Sequence, residues 1–203
     1  MSLVLKKIIR DKRGQTLIEL MAAVFVITTG LLGVLGLTTA NVRSETTAVM
    51  RLTAFNLARE GAELARNIRD GNWLSSQPWD AGLTLATHCA VVSTVQTLQS
   101  FESTSCASDQ FDSAYRVFLD SELYTQYAGN ASVTAVSTQY YRRIVLDPIC
   151  VSKTGEVAET VVTDGGCDVS SIMAGMQVTS EVVYKIAGRA QSARIIERLM
   201  NWR

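Results

Sequence analysis

"KRGQTLIELMAAVFVITTGLLGVLGLTTA", Lys12 to Ala40, is the stretch whose reading decides the fold. From Leu20 to Ala40 it holds no charged residue, and between Arg13 and Arg43 the only formal charge is Glu19. A helix of about 20 apolar residues crosses a bilayer, and Leu17 to Ala40 reaches that length. Lys6, Lys7, Arg10, Lys12 and Arg13 precede the run against a single Asp11. A basic flank of this kind keeps the start in the cytoplasm and sends the bulk of the chain across. A secretory signal peptide has a shorter apolar core and a small-residue cleavage site; this run is too long, and "LTTANVRSE" is a poor site. A single-pass anchor fits the length but leaves Glu19 unaccounted for. A carboxylate inside a membrane is costly and marks a functional position with a partner to be named. The other reading places Glu19 at headgroup level, near the helix start.

The chain has 203 residues, 47% of them hydrophobic, enough for one sizeable domain besides a membrane segment. Formal net charge is zero overall. The basic residues cluster beside the apolar run, which argues for membrane orientation and against nucleic-acid binding. All four cysteines, Cys89, Cys106, Cys150 and Cys167, lie beyond the run. An even number downstream of an export-like segment points to an oxidising compartment and disulfides. Of the three possible connectivities, equal sequence separation favours Cys89–Cys106 and Cys150–Cys167. Each would close a loop worth roughly 3 kcal/mol in the chain-entropy model. Four reduced, buried thiols are the alternative.

Beyond Ala40, "NVRSETTAVMRLTAFNLAREGAELARNIRDGNW" lacks proline and places Ala48, Leu52, Phe55, Ala62, Ala65 and Ile68 at three- and four-residue steps. This predicts an amphipathic helical stripe. Arg59 with Glu63 and Arg66 with Asp70 are i,i+4 pairs, and Asp70-Gly71-Asn72 reads as the helix end. Gly30, Gly33 and Gly36 allow either close helix approach or local melting. The organisation expected is thus a basic segment, 1–14, a membrane and stalk helix, 15–70, and an exported head, 71–203. The fold class expected is α+β, with the helix's amphipathic half packed on an antiparallel β-sheet. Strand candidates are 113–120, 139–147, 176–186 and 190–200. Gly188 in "AGRA" makes 176–200 a terminal hairpin, although 190–200 also contains good helix formers. The Ser/Thr-rich stretches 84–110 and 150–171 read as loops.

No catalytic constellation is visible. His88 is the only histidine, and neither a C-x-x-C nor an H-x-x-x-H spacing accompanies it, so a zinc site is not expected. Asp164 and Asp168 in "TDGGCD" lack an EF-hand pattern and read as a solvated turn. Trp73 and Trp79 offer either a stacking surface for sugar or DNA, or a wedge between stalk and head. "NAS" at Asn130 is a glycosylation sequon, a pattern that is common by chance. No cofactor, no metal and no enzymatic activity are expected.

"RGQTLIEL" resembles the leader junction of type IV pilin precursors and pseudopilins, and "LIELMAAVFVITTGLLGVLGL" followed by "NLAREGAELARNIRD" resembles minor pilins of the V type and the I-type pseudopilin of type II secretion. The resemblance covers residues 10–70. It implies cleavage by a prepilin peptidase between Gly14 and Gln15, and N-methylation of the new terminus at Gln15, where the family usually has Phe. It also implies that Glu19 receives the α-amine of a neighbouring subunit during assembly. The partners implied are other pilin subunits through the N-terminal helix, an inner-membrane assembly platform and membrane lipid. The location implied is the cytoplasmic membrane, then a pilus or pseudopilus at the surface or in the periplasm. A membrane-anchored extracellular binding protein that forms no filament is the alternative, and it would keep its leader.

Overall fold

A single helix, α1, runs without a break from Lys12 to Leu74. It starts upstream of Gln15 and ends beyond the Asp70-Gly71-Asn72 stop expected from sequence. No proline interrupts it, and Gly71 is tolerated inside its last turn. The computed structural model describes residues 12–85, 87–95, 98–104, 106, 109–120, 123–126, 135–153, 159–163 and 165–201, with the backbone alone for 12–15, 93–95 and 98–103. Asn130 and Asp164 lie outside these residues.

The chain divides into two compact units, 1–49 and 50–203. In the first, the described residues are all helical, and the apolar side chains from Leu17 to Val42 are exposed. By length and composition this stretch is able to cross a membrane. Its hydroxyls are satisfied within the helix: Thr28 donates to Val24 O at 2.9 Å, Thr29 to Phe25 O at 2.8 Å and Thr38 to Val34 O at 2.9 Å. Such back-bonding satisfies these hydroxyl donors within the helix, as a bilayer interior would require.

In the second unit, α1 from Met50 packs on a curled antiparallel sheet, giving an α+β fold. Its described strands are β1 (Cys89–Val95), β2 (Leu98–Ser103), β3 (Arg116–Asp120), β4 (Leu123–Thr125), β5 (Val136–Ser152), β6 (Glu159–Val161), β7 (Ser171–Ile186) and β8 (Arg189–Met200). β5 is the spine. One edge pairs with β7 along nearly its whole length, and β8 follows β7. The other edge is shared in turn by β3, β1 and β6. Pro148 is tolerated inside this long strand for a local reason. Leu146 N–H donates to His88 O at 2.8 Å and Val162 N–H donates to Pro148 O at 3.0 Å. Alternate residues address the same edge, so the nitrogen of Pro148 faces the seam between β1 and β6, where the lost N–H interrupts no ladder.

The terminal hairpin forms as a strand pair, not as a helix over 190–200. Ala187 and Gly188 both have positive φ, 49° and 79°, as a two-residue turn matching strand twist demands. The candidate strand 113–120 is a 3-10 turn over Ser113–Tyr115 followed by β3. Two expected loops contain strands: β1 and β2 form a hairpin within 84–110, and β6 pairs with β5 within 150–171. Ser and Thr in these stretches are β-branched or small strand residues in a pleat that tolerates them.

Of the expected inward stripe, Ala62 and Ala65 are buried and Ile68 packs against the core, but Ala48, Leu52 and Phe55 are exposed. Ala54, Leu57, Ala58, Ala62, Leu64 and Ala65 are buried, whereas Leu52 is 61% and Phe55 48% exposed. Small residues bring the helix down onto the sheet. At Gly61 a Cβ would lie 2.6 Å from Ser180 Oγ and 2.9 Å from Ile144 Cδ1. The helix axis is too close to the strands there for the bulkier Leu52–Phe55 stripe to be the inward one. Leu64, Ala65, Val92, Ile144, Val178 and Leu199 form one cluster, and Leu57, Ala58, Val117, Tyr140, Val182 and Tyr184 a second.

Candidate functional site

The N-terminal segment is built by the helix itself. The backbone of Gly14 and Gln15 lies in the first turns of α1, and Glu19 follows Gln15 by four residues, on the same helical face. Glu19 is exposed among Leu17, Ile18 and Leu20, whose side chains are 63%, 69% and 64% exposed. Its carboxylate is the one formal charge along the exposed apolar stretch, with Gln15 and Thr16 one turn before it and Ala22 and Ala23 one turn after.

The structure joins Cys89 to Cys106 and Cys150 to Cys167, with Cα atoms 5.3 and 5.5 Å apart. The first bond ties the start of β1 to the segment leaving β2. The second ties β5, at the register shift between Ile149 and Cys150, to the loop before β7. His88 stands between main-chain groups of two distant segments. Its Nδ1 lies 3.0 Å from Leu146 O and 3.6 Å from Asp147 Oδ1, and its Nε2 accepts the N–H of Gly165 at 3.2 Å. Among the described residues no three His, Cys, Asp or Glu side chains gather as a metal site. Asp168 forms a turn, its carbonyl accepting the N–H of Ser171 at 2.9 Å and its hydroxyl at 3.0 Å.

The i,i+4 pair Arg59–Glu63 forms at 2.8 Å. Arg66 instead reaches Glu197 on β8 at 2.6 Å, and Asp70 pairs with its neighbour Arg69 at 2.9 Å. The cross-element partner wins because it lies directly beneath the helix; its hydrogen bond and charge raise the pKa of Arg66.

Sequence reading missed the buried centre of the second unit. Arg142 is fully buried on the helix-facing side of β5. Its Nε donates to Gln126 Oε1 at 2.8 Å, and its Nη1 donates to Leu57 O at 3.2 Å and reaches Glu60 Oε2 at 3.1 Å. Gln126 in turn donates to Tyr115 O and Arg142 O at 2.9 and 2.7 Å and accepts from Val92 N–H at 3.2 Å. Burial pushes the guanidinium below its ordinary pKa, and Glu60 opposes that shift. The one legible signal was parity: in "QYYRRIVLD", Arg142 alternates with Tyr140, Ile144 and Leu146.

Trp73 and Trp79 stand at the end of α1. Trp79 packs partly against the core and Trp73 lies under the guanidinium of Arg69, 4.6 Å from the ring centroid.

Residues 9–35 match the family model described as the prokaryotic N-terminal methylation motif. No curated protein and no solved structure matches the chain. The matched segment contains Gly14, Gln15 and Glu19 and opens the apolar part of α1. It indicates a type IV pilin-like precursor, a substrate of the prepilin peptidase, anchored through its N-terminal apolar helix.

Proposed function

We propose that this chain is a minor, pilin-like structural subunit that is cut between Gly14 and Gln15, methylated at Gln15, and built into a type IV pilus or type II secretion pseudopilus through α1. The observation that carries this reading is the methylation motif at residues 9–35 running directly into a 63-residue helix that enters a β-rich unit. The role so proposed is assembly, not catalysis. In this reading the precursor spans the cytoplasmic membrane once, with its basic start in the cytoplasm and residues beyond the run exported. Glu19 neutralises the α-amine of an incoming neighbour and so sets its axial register.

The test follows Glu19→Ala and wild type side by side. N-terminal sequencing of membrane-extracted wild-type protein should begin at Gln15. Glu19→Ala should insert and be cut normally, since removing a carboxylate relieves an insertion cost of up to ~3 kcal/mol. It should be missing from sheared filaments. A chain that keeps Met1 in a host carrying the peptidase would favour the anchored binding protein, and normal filament incorporation of Glu19→Ala would return Glu19 to the headgroups.

A further inference from the structure

The segment before β1 and the loop before β7 meet at a cleft of about 320 Å³, lined by Leu83, Leu85, Pro148 and Met173 together with Gly165 and Gly166 of the loop. His88 joins the two sides. On one side its Nδ1 lies 3.0 Å from Leu146 O, and Leu146 N–H donates back to His88 O at 2.8 Å, so ring and main chain are both held on β5. On the other side its Nε2 accepts the N–H of Gly165 at 3.2 Å. Gly165 is exposed and has φ 100°, so no side chain of its own fastens it. The loop's other ties lie further along, at the Cys150–Cys167 bond and at the Asp168–Ser171 turn. The charged group nearest the ring is Asp147, its Oδ1 3.6 Å from Nδ1 and its side chain 8% exposed. No other side chain lining the cleft carries a charge, and Cys167 is bonded and does not titrate. Around the cleft, Asp80 accepts the Thr84 hydroxyl at 3.1 Å and Asp168 is exposed. Asp164, next to Gly165 in sequence, lies outside the described residues.

We propose that His88 is a proton-operated latch: the neutral ring holds the Gly165 loop to β5, and the protonated ring releases it. The reason lies in the acceptor. An imidazole nitrogen accepts a hydrogen bond only while it carries no proton, and a protonated ring has two donors and no acceptor. A proton added at Nε2 faces the N–H of Gly165, so two donors share one contact and must part. The β5 side keeps its hold, because Nδ1 faces two oxygens, Leu146 O and Asp147 Oδ1, and both suit a charged ring. Protonation thus weakens only the loop side. Imidazole is the side chain that ordinarily changes charge between about pH 5 and 8, a range in which carboxylates with ordinary pKa values near 4 stay ionised. The freed loop stays tethered through Cys167, so the opening is local and reversible, and it widens the way to the apolar wall of the cleft. The latch lies wholly within residues 50–203 and stands apart from the reading of the N-terminal segment.

The test uses the full chain in detergent, isotope-labelled at glycine and histidine, and NMR between about pH 8 and about pH 5. His88 is the one histidine in the chain, so its ring signals identify themselves. The second readout is the solvent exchange of the Gly165 amide, taken relative to an unstructured glycine at the same pH. As pH falls, the protection of Gly165 should drop about fivefold, the weight of one ordinary hydrogen bond, with the midpoint of the His88 ring. Gly175, buried within β7, should keep its protection throughout. His88→Gln, which retains an acceptor that does not titrate, should leave Gly165 equally protected across the range. His88→Leu should leave it unprotected at every pH, and thermal midpoints of both variants show that the second unit is folded. A ring that stays neutral to pH 5, a Gly165 protection that stays level while the ring titrates, or the same pH-dependent loss in His88→Gln would overturn the proposal.

Discussion

Arg142 occupies a position that the pleat of β5 turns toward α1, and its charge survives there because Glu60, Gln126 and the carbonyl of Leu57 converge on it. Removing one partner of a buried pair is more damaging than replacing both, because the remaining charge is stranded. Glu60→Ala should therefore cost about 3 kcal/mol, the lower end of the range for buried pairs, since the Glu60 side chain is 31% exposed and water replaces part of what is lost. Glu60→Gln, which keeps an acceptor, should cost less. Urea unfolding of the detergent-solubilised chain, followed by circular dichroism, reads both; a Glu60→Ala midpoint equal to wild type would mean that water reaches the guanidinium. At Ser76, which takes φ 55° just after α1, the same measurement should move the other way. Glycine there removes the left-handed strain of a Cβ and should stabilise the chain by about 0.5–1 kcal/mol, the strain relieved less the added unfolded-state entropy. A loss of stability would mean that the Ser76 side chain holds the turn.

At the scale of the element, α1 turns a different face to the sheet than its bulky residues suggest. Over the first part of this stretch spacing alone admits either the expected Ala48, Leu52 and Phe55 or Ala54, Ala58 and Gly61; both lead into Ala62, Ala65 and Ile68, the expected inward residues, which are buried or partly buried. Close approach to β5 and β7 selects the second. Gly61→Ala should cost about 1–3 kcal/mol through overpacking, because its Cβ would meet Ser180 and Ile144. Leu52→Ala and Phe55→Ala should each change stability by no more than about 0.5 kcal/mol, as for exposed positions generally. Thermal unfolding of the three variants in parallel decides the face: a large loss in Leu52→Ala together with tolerance of Gly61→Ala would place the other stripe inward. The strands missed within 84–110 and 150–171 have a related origin. β1, β2 and β6 are short or polar segments whose pairing with distant β5 or with each other supplies what local propensity does not.

Across the whole molecule, two cross-links divide the labour of holding the second unit. Cys89–Cys106 closes the β1–β2 region and Cys150–Cys167 fastens the β5–β7 connection, each over a sequence separation of 17. By chain entropy each bond should contribute roughly 3 kcal/mol. Replacing Cys150 and Cys167 together by Ser should lower stability by about that amount while leaving the helix content of residues 12–49 unchanged. Alkylation without reduction, followed by peptide mapping, should recover both bonds as paired. Free thiols or crossed pairs would contradict the geometry.

Some of this was present in the chain before any folding. The length of the apolar run, its basic flank, the position of Glu19 and the order of Gly14 and Gln15 before it are linear features. A bilayer and a peptidase read them locally, so no tertiary contact is needed to interpret them. The terminal hairpin was legible for the same reason, since period-two patterning and the Gly188 turn are adjacent in sequence. The inward face of α1, the burial of Arg142 and the partner of Arg66 were not, because each depends on a residue far away in the chain: Ser180 beneath Gly61, Gln126 beside Arg142, Glu197 beneath Arg66. Local spacing proposes several faces and several pairs of nearly equal merit. The choice among them belongs to the tertiary structure, which alone determines which surfaces meet closely enough for sterics and desolvation to discriminate.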